Sequence, residues 1–168
     1  MGILNRNPHF TSAQVVQITG ITPRQLQWWD EQKIVVPARS GRNRSYTYED
    51  LAELAVMSEL RRKGFSLQQL RKVVRFLKKE FGRRLYEKAS SGVQYHLLAG
   101  GRKFFLRTSA EQVVQLLKDS LQPLLGVCLS DAVTRVRSQV EALGGGKKAP
   151  LPAFFAGEGG LWAGKRAS

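Results

Sequence analysis

Apolar residues recur at helical spacing in four successive stretches before residue 82, and each stretch follows a hydroxyl residue with Gln or Asp three places on. Thr11 with Gln14 precedes Val15 and Ile18, which form a short apolar face with Phe10, and Gly20 stops the helix. Thr22 with Gln25 opens the second helix, and Pro23 sits at the first helical position, where a missing N–H costs nothing. Leu26 points one way along it, while Arg24, Gln27 and Trp28 leave a polar, basic and aromatic surface. Thr47 with Asp50 opens the third helix, whose buried stripe is Leu51, Leu54, Ala55 and Leu60 and which Gly64 ends. Ser66 with Gln69 opens the fourth. There Leu67, Leu70, Val74, Leu77 and Phe81 alternate three-four-three-four as a core stripe. Arg71, Lys72, Arg75, Lys78 and Lys79 fill its other faces, as a solvated surface or as extra backbone contacts to a polyanion. Local signals that agree at four helix starts make the helical reading firm.

Only Thr19-Gly20-Ile21 separates the first two helices, the proportions of a helix-turn-helix. After the second helix, the β-branched run Ile34-Val35-Val36 is closed by Pro37, and Ser45-Tyr46-Thr47 reads as a returning strand. Between them lies a turn-rich segment from Arg39 to Arg44 with Arg42 and Asn43 inside it and no acid. The expected shape is a small hairpin with a basic tip, a wing beside the helix-turn-helix. Arg42 and Arg44 suit phosphate as forked, charged donors.

Beyond Phe81-Gly82 the periodicity shortens. Tyr86–Ser91, Val93–Ala99 and Lys103–Arg107 read as short strands, with Gly100-Gly101-Arg102 as a hairpin turn. Thr108 and Ser109 start a helix carrying Val113, Val114 and Leu117, and Pro123 precedes a strand around Val127. Ser130 caps a last helix whose stripe of Val133, Val136, Val140 and Leu143 is a dimer seam or the cover of the sheet. From Gly144 glycine and proline dominate, with apolar clusters at Phe154-Phe155 and Leu161-Trp162, the composition of a disordered tail. The expected fold class is therefore mainly α with small β elements. It comprises a winged helix-turn-helix over residues 10–81, a small α+β module over 82–143 and a disordered Gly/Pro-rich tail over 144–168.

Charge turns this architecture toward a polyanion. The 168 residues hold 27 Lys plus Arg against 13 Asp plus Glu, a net charge of +14 with an isoelectric point near 10.5. A membrane surface is the competing polyanion, yet no run approaches the roughly 18–20 apolar residues of a span. The start Met-Gly-Ile-Leu-Asn-Arg lacks a signal-peptide pattern, so a cytoplasmic, nucleoid-associated protein is expected. Cys128 is the only cysteine, which excludes an intramolecular disulfide or a thiolate cluster and suggests a small core residue. His9 and His96 lack partners at ligand spacing, and Glu87, Glu111, Asp119, Asp131 and Glu141 are scattered. No enzyme, metal or cofactor is expected.

The first eighty residues resemble the MerR family of winged helix-turn-helix transcription regulators. The resemblance rests on Phe10-Thr11, Gly20 through Leu26, Trp28-Trp29-Asp30, Val36 through Arg39, Arg44 through Leu51, and Leu60 through Leu67, in that order. It implies a homodimer on a pseudo-palindromic double-stranded operator, with the second helix in the major groove and RNA polymerase as a further partner at the promoter. Arg24 would then reach bases or nearby phosphate, Trp28 would lie against the sugar-phosphate backbone, and Arg44 and Tyr46 would be wing contacts. Thr22, Gln25, Gln27, Arg39, Arg42, Asn43 and Arg62 complete the expected DNA-binding face. Two tryptophans stand where the family usually has tyrosines, which removes a phenolic hydroxyl; Trp29 is expected mostly in the core. The segment after Phe81 also departs, because the family usually dimerises through a long helix there. The alternative is an excisionase-like architectural factor that bends DNA for recombination.

Overall fold

A computed structural model describes residues 9–82, 84–100 and 102–144. The expected disordered tail lies outside these, apart from Gly144. Helices α1 (Ser12–Thr19) and α2 (Pro23–Glu31) are followed by strands β1 (Ala38–Ser40) and β2 (Asn43–Ser45), then by α3 (Tyr48–Arg62) and α4 (Leu67–Phe81). Each of the four helices begins with the reciprocal cap read from the sequence: Thr11/Gln14, Thr22/Gln25, Thr47/Asp50 and Ser66/Gln69. The cap oxygen accepts the third amide of the helix, and the Gln or Asp side chain accepts the cap amide. Gly20 ends α1 in the left-handed region at φ 78°.

The hairpin differs from the sequence expectation. Its first strand is Ala38–Ser40, not the β-branched run before it, and its loop is the two residues Gly41-Arg42. Gly41 has φ 65° while Arg42 does not, the pattern of a type II′ turn whose twist suits a tight hairpin. Ile34 and Val35 are fully buried as the chain leaves α2, and Val36 is exposed. Their apolar character feeds the core and forms no ladder.

Next come α5 (Leu85–Ala89), β3 (His96–Gly100), β4 (Lys103–Arg107), α6 (Ala110–Asp119), β5 (Leu125–Cys128) and α7 (Leu129–Gly144). The three strands form an antiparallel sheet in the order β4-β3-β5. The stretch read as a strand over Tyr86–Ser91 is instead helix α5. The Tyr86 N–H donates to both carboxylate oxygens of Glu49, at 2.9 and 3.0 Å, so a side chain 37 residues away satisfies its first turn. Leu85 and Ala89, four apart, supply the buried face. Helix α7 starts at Leu129, one residue before the expected cap. The Ser130 hydroxyl donates to the Val93 carbonyl at 2.7 Å and accepts the Tyr95 N–H at 3.0 Å, bridging to the segment before β3.

One apolar core runs through the described residues. It joins Val15, Ile18, Leu26 and Trp29 to Leu54 and Leu77, and continues into Leu97, Ala99, Val127, Val133 and Val136. Helix α7 packs on α1 and α3. Leu129, Ala132, Val133 and Val136 of α7 are buried there, so its stripe serves as core. Leu97, Ala99, Phe104 and Leu106 turn the inner sheet face toward this core. Leu98 lies outside that cluster, and its register partner is Phe105. Lys63 adds a polar strut, its Nζ donating to the Gly126 carbonyl at 2.6 Å.

Candidate nucleic-acid interface

Helix α2 buries Leu26, Trp29 and Asp30, positions i, i+3 and i+4. The opposite face carries Arg24, Gln27, Trp28 and Glu31 at the same spacing. Arg24 is exposed, and no hydrogen bond or ion pair holds it among the described residues. Gln27 donates from Nε2 to Glu31 Oε1 at 2.9 Å, which aims its amide along the helix. Trp28 is half-buried and rests its apolar ring on the core. Trp29 is 3% exposed, as expected of a residue that seats the helix. Thr22 and Gln25 are exposed at the N-terminus but engaged with each other: Gln25 Oε1 accepts the Thr22 N–H at 3.2 Å, and Thr22 Oγ1 accepts the Gln25 N–H at 3.1 Å.

The C-terminus of α2 is closed by two bonds of a Schellman motif. Ile34 N–H donates to the Trp29 carbonyl at 2.9 Å and Lys33 N–H to the Asp30 carbonyl at 3.0 Å. Lys33 occupies the left-handed position at φ 59°, where glycine is the unstrained choice. A third tie comes from α4, where Arg71 Nη2 donates to the Gln32 carbonyl at 3.1 Å and to Gln32 Oε1 at 3.0 Å. Of the α4 cations left open by the sequence, Arg71 is thus a brace for the end of α2.

Asp30 is the centre of the arrangement. Its side chain is 4% exposed, and its Oδ2 accepts both Arg39 Nη2 and Arg44 Nε at 2.6 Å. Arg39 and Arg44 are register partners across the hairpin. Like charges directly opposite on adjacent strands repel, so the acid offsets a repulsion that the wing sequence creates. The buried carboxylate is in turn neutralised by two guanidiniums, which a buried charge requires. This ties the wing to the last turn of α2.

Several expected wing contacts therefore change standing. Tyr46 is fully buried and its backbone pairs with Phe10, so it has no surface to offer a phosphate; that expectation is corrected. Arg44 uses Nε on Asp30 and keeps 26% of its side chain exposed. Arg39 is 53% exposed and engaged through one Nη. Arg42 and Asn43 at the tip are exposed. Arg62 is half-buried near the end of α3, and burial pushes its guanidinium below its ordinary value.

Asp30, Arg71 and Glu31 join the site from the structure. Glu31 has a sequence signal, its i,i+4 spacing from Gln27; the partners of Asp30 and Arg71 lie 9 to 39 residues away and leave no local trace. Cys128 is half-buried, its thiol donates to Gln94 Oε1 at 3.3 Å, and burial pushes its pKa up, the marks of an inert thiol. Among the described residues, no group of His, Cys, Asp and Glu could hold a metal, and no helix is long and apolar enough to cross a membrane.

Residues 10–77 match the family described as MerR HTH family regulatory protein. This stretch is a MerR-type helix-turn-helix domain. An uncharacterized HTH-type transcriptional regulator of Mycobacterium tuberculosis is 34% identical over 126 residues, which cover 70% of this chain and 51% of the relative. The HTH-type transcriptional regulator CueR of Escherichia coli O157:H7 is 32% identical over 59 residues, or 34% of this chain and 44% of CueR. The HTH-type transcriptional regulator TnrA of Bacillus subtilis is 33% identical over 62 residues, or 36% of this chain and 56% of TnrA. The chain thus spans about half the length of these relatives. The mycobacterial match extends well past the MerR-type domain in length, whereas the other two are no longer than the domain itself.

Proposed function

We propose that this protein is a transcription regulator that binds double-stranded DNA sequence-specifically, with α2 in the major groove and the β1–β2 wing on the sugar-phosphate backbone. The observation that carries this reading is the outward stripe of α2, Arg24, Gln27 and Trp28, on a helix whose other face is locked to the core and to the wing. An unpaired Arg and an oriented Gln are donor groups suited to base edges, and Arg42 at the wing tip suits phosphate. The net charge of +14 supplies the long-range attraction. In this reading Arg44 serves two partners, Asp30 through Nε and a phosphate through its free nitrogens. RNA polymerase at the promoter is a further partner.

Footprinting on genomic fragments, followed by titration on the recovered site at several salt concentrations, tests the proposal. Binding should weaken linearly in log–log form, with a slope of about −0.9 per phosphate neutralised. Arg24→Ala should lose about 1–3 kcal/mol at particular base pairs, whereas Arg42→Ala should weaken all sequences alike and shallow the slope by about one. Protected sites at promoter elements support regulation; sites confined to a recombination locus would favour the architectural alternative. Unchanged selectivity in Arg24→Ala would remove α2 from the major groove.

A further inference from the structure

Outside the proposed DNA-binding face, strand β4 and helix α6 border a cavity of about 510 Å³, within the roughly 300–1,000 Å³ of small-molecule sites. Phe105 of β4, Leu116 of α6, and Leu121 and Leu124 of the segment after α6 supply its apolar walls. Ser120 leaves the helix in extended conformation and starts this segment, a strap that runs back to the end of β3. The strap is seated on Gly100. A Cβ there would overlap Leu124 and lie 2.8 Å from the Pro123 carbonyl oxygen. Glycine lets strand and strap approach this closely, so the wall is built into the fold. Leu121, at the rim of the cavity, is wholly exposed.

The polar groups around the cavity select what can enter. Asp119 accepts Gln115 Nε2 on both carboxylate oxygens, at 3.0 and 3.1 Å. The Ser120 hydroxyl donates to the Gln122 carbonyl at 2.6 Å and accepts the Gln122 N–H at 3.3 Å, while Gln122 Nε2 donates to the Gly100 carbonyl at 3.3 Å. Of the charged and polar side chains lining the cavity, Lys103 alone has no partner among the described residues. A second cation stands beside Phe105, whose ring centroid lies 5.5 Å from the Arg107 guanidinium. One free ammonium against apolar walls calls for one negative charge on a hydrocarbon body, and a compact ammonium is matched by a single carboxylate. We propose that this cavity binds a medium-chain carboxylate, its head on Lys103 and its hydrocarbon against Phe105, Leu116, Leu121 and Leu124. A ligand so placed gives Leu121 an apolar cover that the described chain does not supply. The proposal is independent of the DNA-binding reading, since no residue of the helix-turn-helix or the wing takes part.

Octanoate titrated into the full chain tests the proposal by amide proton–nitrogen correlation spectra, with uncharged octanol and cationic octyltrimethylammonium as comparisons. Octanoate should bind tightest of the three, with saturable shifts concentrated at β4, α6 and the strap. Each methylene added between hexanoate and octanoate should tighten binding by about fourfold, as a buried CH₂ group does. Lys103→Gln, at an exposed position, should weaken octanoate by about fivefold, the upper range for a solvent-accessible ion pair, and leave octanol unchanged. Lys118→Gln removes an exposed α6 cation that does not line the cavity and should change neither. That comparison separates the site from the general attraction of anions to a chain of net charge +14. Leu121→Ser, at a side chain the fold leaves in solvent, should weaken octanoate and octanol alike. The absence of saturable shifts at β4, α6 and the strap overturns the proposal. So does octyltrimethylammonium binding as tightly as octanoate, or Lys118→Gln weakening octanoate as much as Lys103→Gln.

Discussion

Asp30→Asn keeps the shape of the side chain that joins the wing to α2 and removes its charge. Hydrogen bonds to charged groups contribute about 1.5–3 kcal/mol each, and breaking a fully buried pair costs about 3–5 kcal/mol. Those figures need discounting here, because Arg39 and Arg44 keep 53% and 26% of their side chains in solvent and can turn toward water when released. Arg44, the better covered, should account for about 1.5 kcal/mol and Arg39 for about 0.5 kcal/mol, or about 2 kcal/mol together. For a chain of this size that lowers the melting temperature by about 4–8 °C, measurable by circular dichroism or calorimetry. A double-mutant cycle assigns the loss: Arg44→Ala should be costly with Asp30 present and nearly neutral in Asp30→Asn. The variant also gains one unit of positive charge, so binding to random DNA should hold or tighten. Affinity for the specific site should fall, because the wing loses its tie to the reading helix. A melting temperature within about 1 °C of the parent, with Arg44→Ala equally costly in both backgrounds, would refute the clamp.

Three further outcomes follow from the geometry. Burial pushes the Glu49 carboxyl above the ordinary carboxylate range, against backbone N–H groups led by that of Tyr86 that pull it down. The folded state then holds the proton more tightly than the unfolded state. The associated stability is greatest below the unfolded pKa and is lost as pH rises through the folded one. Glu49→Gln, whose amide oxygen still accepts the Tyr86 N–H, should flatten that loss in urea titrations at pH 4.5 and 7; an unaltered pH dependence refutes the assignment. Lys33→Gly should raise stability by up to about 1 kcal/mol by relieving the left-handed residue at the end of α2, read as a rise in the urea midpoint, and a drop would contradict the strain argument. Arg71→Gln should leave the salt slope of DNA binding unchanged while lowering specific affinity, if the role of Arg71 is to brace Gln32 through Nη2; a slope shallower by one would make it a direct contact as well.

How much of this was legible depended on sequence separation. The first four helices could be read because cap, partner and first apolar residue lie within a few positions of one another. The MerR-type domain could be read for the same reason, its signals being local and ordered. The features that escaped are non-local. Ile34 and Val35 look like a strand by composition, yet they leave a Schellman turn directly into the core, and β1 forms later at Ala38. Helix α5 depends on Glu49, 37 residues upstream, and the role of Ser130 on Val93, 37 residues upstream. The arginines of the wing are basic in the sequence, but Asp30, 9 and 14 residues before them, decides how much of each is available. Tyr46 resembles a wing residue by position, and its burial against Phe10 becomes visible only once the N-terminal strand-like bridge is formed.

The consequence for the proposed mechanism lies in how α2 is held. Its N-terminus is closed by Thr22 and Gln25, its C-terminus by Lys33, Ile34 and Arg71, and its flank by Asp30 to the wing. A reading helix and a wing joined by one buried acid present two contact points at a fixed separation. DNA that matches this separation binds without cost, and DNA that does not must bend or change its groove width, so the sequence dependence of its stiffness enters the affinity. The clamp thereby makes the wing part of specificity even though phosphate contacts carry no base information of their own. Loosening Asp30 should therefore broaden the set of tolerated sites at base pairs that no side chain touches.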